Sequence, residues 1–242
     1  MNGTMRREAP RWASWLGAFN VYVTQDLLGG PRQIKLAWAI NLHKILTPVV
    51  VVLFMFRFRN FGEAAWVYLA LHGAYCSCWL LKHSAFRDSR WETRVTIAGA
   101  VFTFVLLASY WVAPFLLISD VLERPSNEVP SWLIAISISL LVLGTATMMT
   151  SDCQKRFTLA LRSGLITDGM FRRIRHPNYL GEMMVYASLA LLVRHWIPWA
   201  VLAYWWVCVF LVNMLMIEAS LARYPGWADY KRKTSMLIPW VV

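Results

Sequence analysis

Six runs of mostly apolar residues, each about as long as one membrane crossing, constrain this chain more than any other feature of its sequence. The hydrocarbon core of a bilayer is about 30 Å thick and requires about 20 apolar residues in a helix. The runs are Leu36–Phe56, Glu63–Leu81, Val95–Ser119, Ser131–Thr150, Tyr179–Val193 and Pro198–Ile217. The sequence therefore predicts an all-α fold, a polytopic membrane helix bundle with about six transmembrane helices.

The composition excludes the other broad classes of protein. Apolar residues make up 58% of the 242 residues, charged residues make up 15%, and the mean hydropathy is +0.47. A soluble domain has about 45–50% apolar and about 25% charged residues, so this chain is too apolar for water. A disordered chain, a collagen-like repeat and a secreted disulfide scaffold are excluded as well. No metal site is predicted, because the four cysteines lack the spacing of metal ligands.

The net charge of +11 is first a signal of topology. With six spans, 20 of the 24 lysines and arginines lie on one side of the membrane, together with both termini. Cytoplasmic loops carry such an excess, so both termini are predicted to be cytoplasmic, in the inner membrane of a bacterium or the endoplasmic reticulum of a eukaryote. The expected partners are the lipid bilayer and a hydrophobic small-molecule substrate, whereas neither nucleic acid nor an obligate protein partner is indicated.

This arrangement divides the chain into three segments. Residues 1–35 form an N-terminal cytoplasmic or interfacial segment, in which Trp12–Leu28 is expected to be an interfacial helix, with a seventh span as the alternative. Residues 36–150 form a four-helix membrane half on the side of the lipid substrate. Residues 151–242 form the cofactor-binding half, with a cytoplasmic loop and tail. Lys44, near one end of the first span, is expected to snorkel to the interface.

Polar residues concentrate around the short fifth span. Tyr179, Glu182 and Tyr186 are spaced to share one face of that helix, and a carboxylate there is too costly to face lipid. Basic residues come just before the helix N-terminus, whose free N–H groups already favour anions. They are Arg172, Arg173, Arg175 and His176. The pattern predicts a cationic pocket for a phosphate-bearing cofactor or, equally, a cluster that binds anionic lipid headgroups.

Two further groups of polar residues stand out. Glu218 closes the last span, and the aromatic, basic tail after it is expected to fold back over the basic loop and wall the pocket. In the second span, His72, Tyr75 and Trp79 share one face. A buried histidine in such a place is more often a packing residue than a catalyst.

Three stretches of the last two-fifths of the chain carry a resemblance to known proteins. They are Ser151-Asp152-Cys153-Gln154-Lys155, the run from Gly164 to Phe171 with Arg175-His176-Pro177-Asn178-Tyr179-Leu180-Gly181-Glu182, and a tail with Glu218, Tyr-Pro-Gly, Tyr-Lys-Arg and Ile238-Pro239-Trp240. Together they resemble the steroid 5-alpha-reductase C-terminal family. Isoprenylcysteine carboxyl methyltransferases and phospholipid methyltransferases are similar in architecture. The glutamate after Gly181 and the first stretch favour the reductase branch.

The resemblance implies an NADPH site at the cytoplasmic surface. Glu182 would contact the nicotinamide amide and Tyr75 would donate a proton, so these two are the predicted catalytic residues. The predicted cofactor-binding residues are polar residues of the loop, the helix start and the tail: Asp152, Arg156, Arg162, Arg172, Arg175, His176, Asn178, Tyr179, Glu182, Glu218, Arg223 and Tyr230. The Gln-Glu pair with which the family protonates an enone is absent from this sequence, so the substrate need not be a 3-oxo-steroid.

Three functions are compatible with these residues. The leading expectation is a membrane-embedded, NADPH-dependent reductase of a carbon–carbon double bond in a lipid or steroid-like substrate. The alternative is an S-adenosylmethionine-dependent methyltransferase of a lipid or isoprenylcysteine-like acceptor, in which the same pocket would hold the methyl donor. The third is a lipid-binding or scaffold protein without chemistry.

Overall fold

Long apolar helices form the protein, as the lengths of the apolar runs predict. The computed structural model describes residues 9–119, 121 and 129–239. Among these, five helices are long and apolar enough to cross a membrane: Leu36–Phe58, Glu63–Ala85, Ile97–Ile118, Ser131–Leu161 and Trp196–Leu221. The protein is therefore a multi-pass membrane protein, and the predicted all-α helix bundle is confirmed.

The described residues form ten α-helices and a short β-pair. The helices are α1 Arg11–Val21, α2 Leu36–Phe58, α3 Glu63–Ala85, α4 Ile97–Ala108, α5 Val112–Ile118, α6 Ser131–Leu161, α7 Pro177–Val193, α8 Trp196–Tyr204, α9 Val212–Leu221 and α10 Trp227–Lys233. Strands β1 Ile34–Lys35 and β2 Arg94–Val95 pair antiparallel. Turns of π-helix follow α1 and join α8 to α9, at Tyr22–Asp26 and Trp205–Leu211. Turns of 3₁₀-helix lie at Ser109–Trp111 and Gly169–Phe171.

Two predicted helices are shorter than a typical span. The predicted span Tyr179–Val193 is helix α7, whose 17 residues are at the lower end of the roughly 17–25 that one crossing needs. The predicted helix Trp12–Leu28 forms from Arg11 to Asp26 and is not among the five candidate spans of the described residues. Its length favours the interfacial prediction over a seventh span. Residues 1–8 of the N-terminal segment and Trp240 of the tail lie outside the described residues.

The described residues fold into two compact units. The first lies within Met1–Phe19, Leu143–Met184 and Tyr204–Val242, and the second is formed by Asn20–Val142 and Val185–Ala203. The division falls inside α6 and α7, because each of these helices contributes one part to each unit. The assignment of residues 36–150 to the substrate and of residues 151–242 to a cofactor stays a prediction.

In the second unit, Thr96 caps the N-terminus of α4 and ties it to the turn that follows the first helix. The Thr96 hydroxyl accepts the N–H of Gly99 at 3.1 Å and donates to the carbonyl oxygen of Leu27 at 3.0 Å. This is a standard N-terminal cap. Gly99 is required because a Cβ there would lie 2.6 Å from the carbonyl oxygen of Thr24. The adjoining core includes Ile40 of α2 and other apolar side chains, Leu36, Ala39, Trp79, Val95 and Ala100.

In the first unit, α7 approaches α6 closely. A Cβ on Gly181 would lie 2.5 Å from the carbonyl oxygen of Gly144 and 2.6 Å from the backbone nitrogen of Met148. The close packing of α7 against α6 thus explains the glycine at position 181 of the quoted motif. The core of this unit includes Tyr179, whose ring meets that of Phe210 edge to face with centroids 5.2 Å apart.

Candidate functional site

In the first unit, the tail runs back along the segment that precedes α7. The N–H of Arg175 donates to the carbonyl oxygen of Ser235 at 2.9 Å, and the N–H of Ser235 donates to that of Arg173 at 3.0 Å. The N–H of His176 donates to the carbonyl oxygen of Met236 at 3.2 Å. The predicted fold-back of the tail over the basic loop is therefore confirmed.

Glu218 is buried at the centre of a group of polar residues, the Glu218 cluster, formed by Arg175, His176, Glu218, Tyr230 and the partly exposed Lys231. Arg175 Nε donates to Glu218 Oε1 at 2.6 Å, and Lys231 Nζ donates to Oε2 at 2.5 Å. The side chains of Arg175 and Glu218 are only 6% and 5% exposed. Arg175 also donates to the carbonyl oxygens of Lys231 and Thr234. Its guanidinium is thus engaged by protein groups.

Burial shifts the pKa values of His176 and Tyr230, the other two members of the Glu218 cluster. Burial lowers the pKa of His176 below its usual value, and the carboxylate of Glu218, 3.7 Å from Nε2, opposes this shift. Burial raises the pKa of Tyr230 to about 12. The protonated phenol of Tyr230 donates to the carbonyl oxygen of Phe171 at 2.8 Å, which ties α10 to the loop.

Gln154 holds the loop between α6 and α7. Its Nε2 donates to the carbonyl oxygen of Asp168 at 3.0 Å, and its Oε1 accepts the N–H of Met170 at 2.8 Å. Between them, Gly169 has a φ of +56°, a conformation that glycine adopts without strain. Sequence reasoning quoted Gln154 as part of a motif and missed this role, for which the spacing gives no signal.

Several predicted cofactor residues lie at the surface of the same unit. Arg156 and Arg172 are exposed and make no ion pair with the described residues. Arg162 is exposed as well, and its guanidinium lies 3.7 Å from the carboxylate of Asp168. Arg223 donates to the hydroxyl of Tyr224 at 3.2 Å.

The remaining predicted cofactor residues are less exposed. Asp152, Asn178 and Glu182 are half-buried, and Tyr179 is buried against Phe210. The structure thus gathers four of the twelve predicted residues in the Glu218 cluster: Arg175, His176, Glu218 and Tyr230. A cofactor-binding role stays a prediction for all twelve.

The second unit contains a buried lysine. Lys44 is 3% exposed, and its Nζ donates to the hydroxyl oxygen of Tyr186 at 2.9 Å. The ammonium also lies 4.4 Å from the ring centroid of Tyr75 and 5.4 Å from that of Trp79. The expectation that Lys44 snorkels to the interface is wrong. The lysine lies about 12 Å along α2 from Leu36, and aromatic side chains of α3 cover it there.

Aromatic rings enclose this contact. The ring of Tyr110 stacks on that of Tyr186 with centroids 4.0 Å apart, and the ring of Tyr75 meets it edge to face at 5.5 Å. We call Lys44, Tyr75, Tyr110 and Tyr186 the Lys44 cluster. Tyr75, a predicted catalytic residue, thus lies beside the ammonium.

Sequence reasoning did not assign catalytic roles to Lys44, Tyr110 or Tyr186. On α3, the sequence pattern singled out His72 and Tyr75 but not Tyr68, which shares their face. Tyr68, His72 and Tyr75 recur at i, i+4 and i+7 on α3, which places three polar aromatic side chains on one face of an otherwise apolar helix.

The fold thus defines a multi-pass helix bundle, in which the described residues include the Glu218 cluster and the Lys44 cluster. The chain belongs to the family described as Protein of unknown function (DUF1295), which matches residues 21–234. An uncharacterized protein of Schizosaccharomyces pombe is 41% identical over 58 residues, which are 24% of this chain and 19% of that protein. The match therefore spans about a fifth of the length of this curated relative.

Proposed function

We propose that this protein is a membrane-embedded, NADPH-dependent reductase of a carbon–carbon double bond in a lipid or steroid-like substrate. The observation that carries the proposal is the buried contact of 2.9 Å between Lys44 Nζ and the Tyr186 hydroxyl. Reduction of a double bond adds a hydride to one carbon and a proton to the other, so the site needs a proton donor in an apolar region. Methyl transfer to a nucleophile needs no such donor.

The chain's own residues supply the proton. NADPH, when bound, supplies the hydride. Tyr186 gives its hydroxyl proton to the second carbon of the double bond, and the ammonium of Lys44 stabilises the phenolate that remains. Tyr75, whose ring centroid is 4.4 Å from that ammonium, positions Lys44. We thus assign Tyr186 the role that the sequence suggested for Tyr75, because its oxygen contacts the cation.

The exposed arginines fit the phosphates of the cofactor, whereas the Glu218 cluster does not. Arg156, Arg162 and Arg172 keep their guanidinium groups at the surface, and the forked donors of arginine suit phosphate oxygens. Arg175 directs its donors to Glu218 and to carbonyl groups of the tail instead. We therefore assign Arg175 and Glu218 to holding the tail, and keep Glu182 as the proposed contact of the nicotinamide amide.

The family relationship supports the reaction class only broadly. The DUF1295 family is related to the superfamily of the steroid 5-alpha-reductases. Because methyltransferases share this architecture, S-adenosylmethionine-dependent methyl transfer to a lipid acceptor is the alternative that the test must address.

We also propose that the basic side of the protein, with both ends of the chain, faces the cytoplasm. The asymmetry of lysine and arginine supports this orientation. The hydrophobic substrate then enters from the bilayer and the cofactor from the cytoplasm.

Binding and turnover by the purified protein in lipid nanodiscs test the proposed function. We expect NADPH to bind and S-adenosylmethionine not to bind. We also expect NADPH to be consumed when a panel of lipids with conjugated carbon–carbon double bonds is supplied. Tyr186→Phe removes the proton donor and Lys44→Met removes the cation that stabilises its phenolate, so each should reduce turnover by about 10²–10⁴-fold. The dissociation constant of NADPH should stay unchanged.

Lys35→Met is the matched control. Lys35 pairs with Glu92 at 2.6 Å and its side chain is 31% exposed, so its loss should leave turnover intact. Binding of S-adenosylmethionine in place of NADPH, or full turnover in Tyr186→Phe, would contradict the proposal.

A further inference from the structure

A small cavity in the second unit is lined by polar side chains. Its volume is about 20 Å³, and it lies against Tyr68, His72, Ser109, Tyr110 and Tyr186 together with apolar residues. A site for one water needs about 10–15 Å³ of such volume and two to four polar partners. The cavity meets both requirements.

Two of these side chains are buried without a hydrogen-bond partner among the described residues. Tyr68 is 0% exposed and His72 is 1% exposed. Neither the hydroxyl of Tyr68 nor either ring nitrogen of His72 makes a hydrogen bond there. Their rings meet edge to face with centroids 5.6 Å apart, so both line the same space. A polar group without a hydrogen bond is especially costly in an apolar membrane interior. This cost indicates that a polar ligand forms hydrogen bonds with Tyr68 and His72.

We propose that this cavity binds one internal water molecule, held by the hydroxyl of Tyr68 and a ring nitrogen of His72. A neutral imidazole offers one donor and one acceptor, and a hydroxyl offers both. Each side chain can therefore donate a hydrogen bond to the water or accept one from it. A buried water makes about three hydrogen bonds, and three further residues that carry a hydroxyl group, Ser109, Tyr110 and Tyr186, line the same cavity.

The site links two features of the second unit. Tyr186 borders the cavity and also accepts the hydrogen bond of Lys44. The bound water therefore extends the polar contacts of the Lys44 cluster to His72 and Tyr68, one and two turns before Tyr75 on α3. This water site does not depend on the proposed reductase activity.

A density map that resolves waters and the variant Tyr68→Phe test this site in the full-length protein. We expect a single peak within hydrogen-bond distance of the Tyr68 hydroxyl and a His72 ring nitrogen. Tyr68→Phe should lower the Tm by roughly 2–4 °C, because it removes one partner of the bound water. If the cavity were empty, the same change would remove a buried hydroxyl that makes no hydrogen bond, and the Tm would stay the same or rise.

Tyr204→Phe is the control, since it removes a hydroxyl from a side chain that is 45% exposed and should not change the Tm. A map without the peak would overturn the water site. So would elongated density of a bound ligand, or a Tyr68→Phe variant that melts at or above the wild-type temperature. These measurements require no catalysis, so their failure is distinct from failure of the proposed function.

Discussion

At the scale of single residues, Glu218 is a buried carboxylate that pairs with two cations in the first unit. It is 4% exposed and accepts hydrogen bonds from both Arg175 and Lys231. A buried ion pair adds little over an apolar pair of the same size, but removal of one partner leaves the other charge buried and uncompensated. The exposed side chain of Lys231 can turn to solvent, whereas Arg175 cannot.

Glu218→Gln should therefore lower the free energy of unfolding by about 3–5 kcal/mol, measured by thermal unfolding in detergent. Asp229→Asn is the control, because it breaks a pair with Arg232 in which both side chains are exposed, and should cost less than about 1 kcal/mol. Equal losses in the two variants would contradict the buried character of the Glu218 cluster.

The residues also show where prediction from sequence ends. Lys44 and Tyr186 are 142 residues apart, and their sequence contexts give no indication that they meet. The arginines before α7 predicted an anion site. Glu218, 43 residues beyond Arg175, supplies the countercharge that turns this arginine to the protein instead. Such pairings depend on tertiary packing, which a local pattern does not contain.

At the scale of elements, the helices themselves were largely predictable. A helix must satisfy its own backbone groups inside a membrane, so each span is recognisable by its length and apolar composition. The observed α2 and α3 begin at Leu36 and Glu63, as predicted. The π-helical turns at Trp205–Leu211 were not predicted, because their residues are as apolar as those of the α-helices around them.

Gly181 allows α7 to lie against α6, and its replacement tests that packing. Gly181→Ala should destabilise the protein by about 1–3 kcal/mol, because the new Cβ meets backbone atoms 2.5 Å and 2.6 Å away, which cannot rotate aside. Thermal unfolding in detergent is the measurement.

Gly73→Ala in α3 is the matched control, since its Cβ would meet only the Cβ of Pro48 at 3.9 Å. This second variant should be neutral or stabilising, by roughly 0.5–1 kcal/mol, because alanine favours a helix more than glycine does. If Gly181→Ala were equally harmless, the close contact between α6 and α7 would be wrong.

At the scale of the whole molecule, the hydrogen bonds of the tail bear on how the chain crosses the membrane. Backbone hydrogen bonds join Ser235 to Arg173 and Arg175, just before α7 begins. The chain enters α7 after His176 and thus returns to the segment before α7 about 60 residues later. A return of this kind requires an even number of crossings in between, which α7 and the helix Trp196–Leu221 supply if both cross. Six spans would satisfy this requirement, and the crossing of α7 stays a prediction, because α7 is not among the five candidate spans of the described residues.

Labelling of single cysteines in a variant without the native ones tests this topology. Leu161→Cys and Ile238→Cys, at positions 89% and 53% exposed, should react with a membrane-impermeant maleimide from the same, cytoplasmic side. Phe61→Cys, at a position 46% exposed, should react from the opposite side. Reaction of Leu161→Cys and Ile238→Cys from opposite sides would show that α7 does not cross.

The way in which Arg175 is bound has a consequence for any anion that reaches the basic loop. Its Nε and Nη1 already donate to Glu218 and to the carbonyl oxygens of Lys231 and Thr234 in the tail. A phosphate that took these donors would have to displace the tail, and its measured affinity would include the free energy of that displacement. The C-terminal residues would then compete with the ligand from within the same molecule.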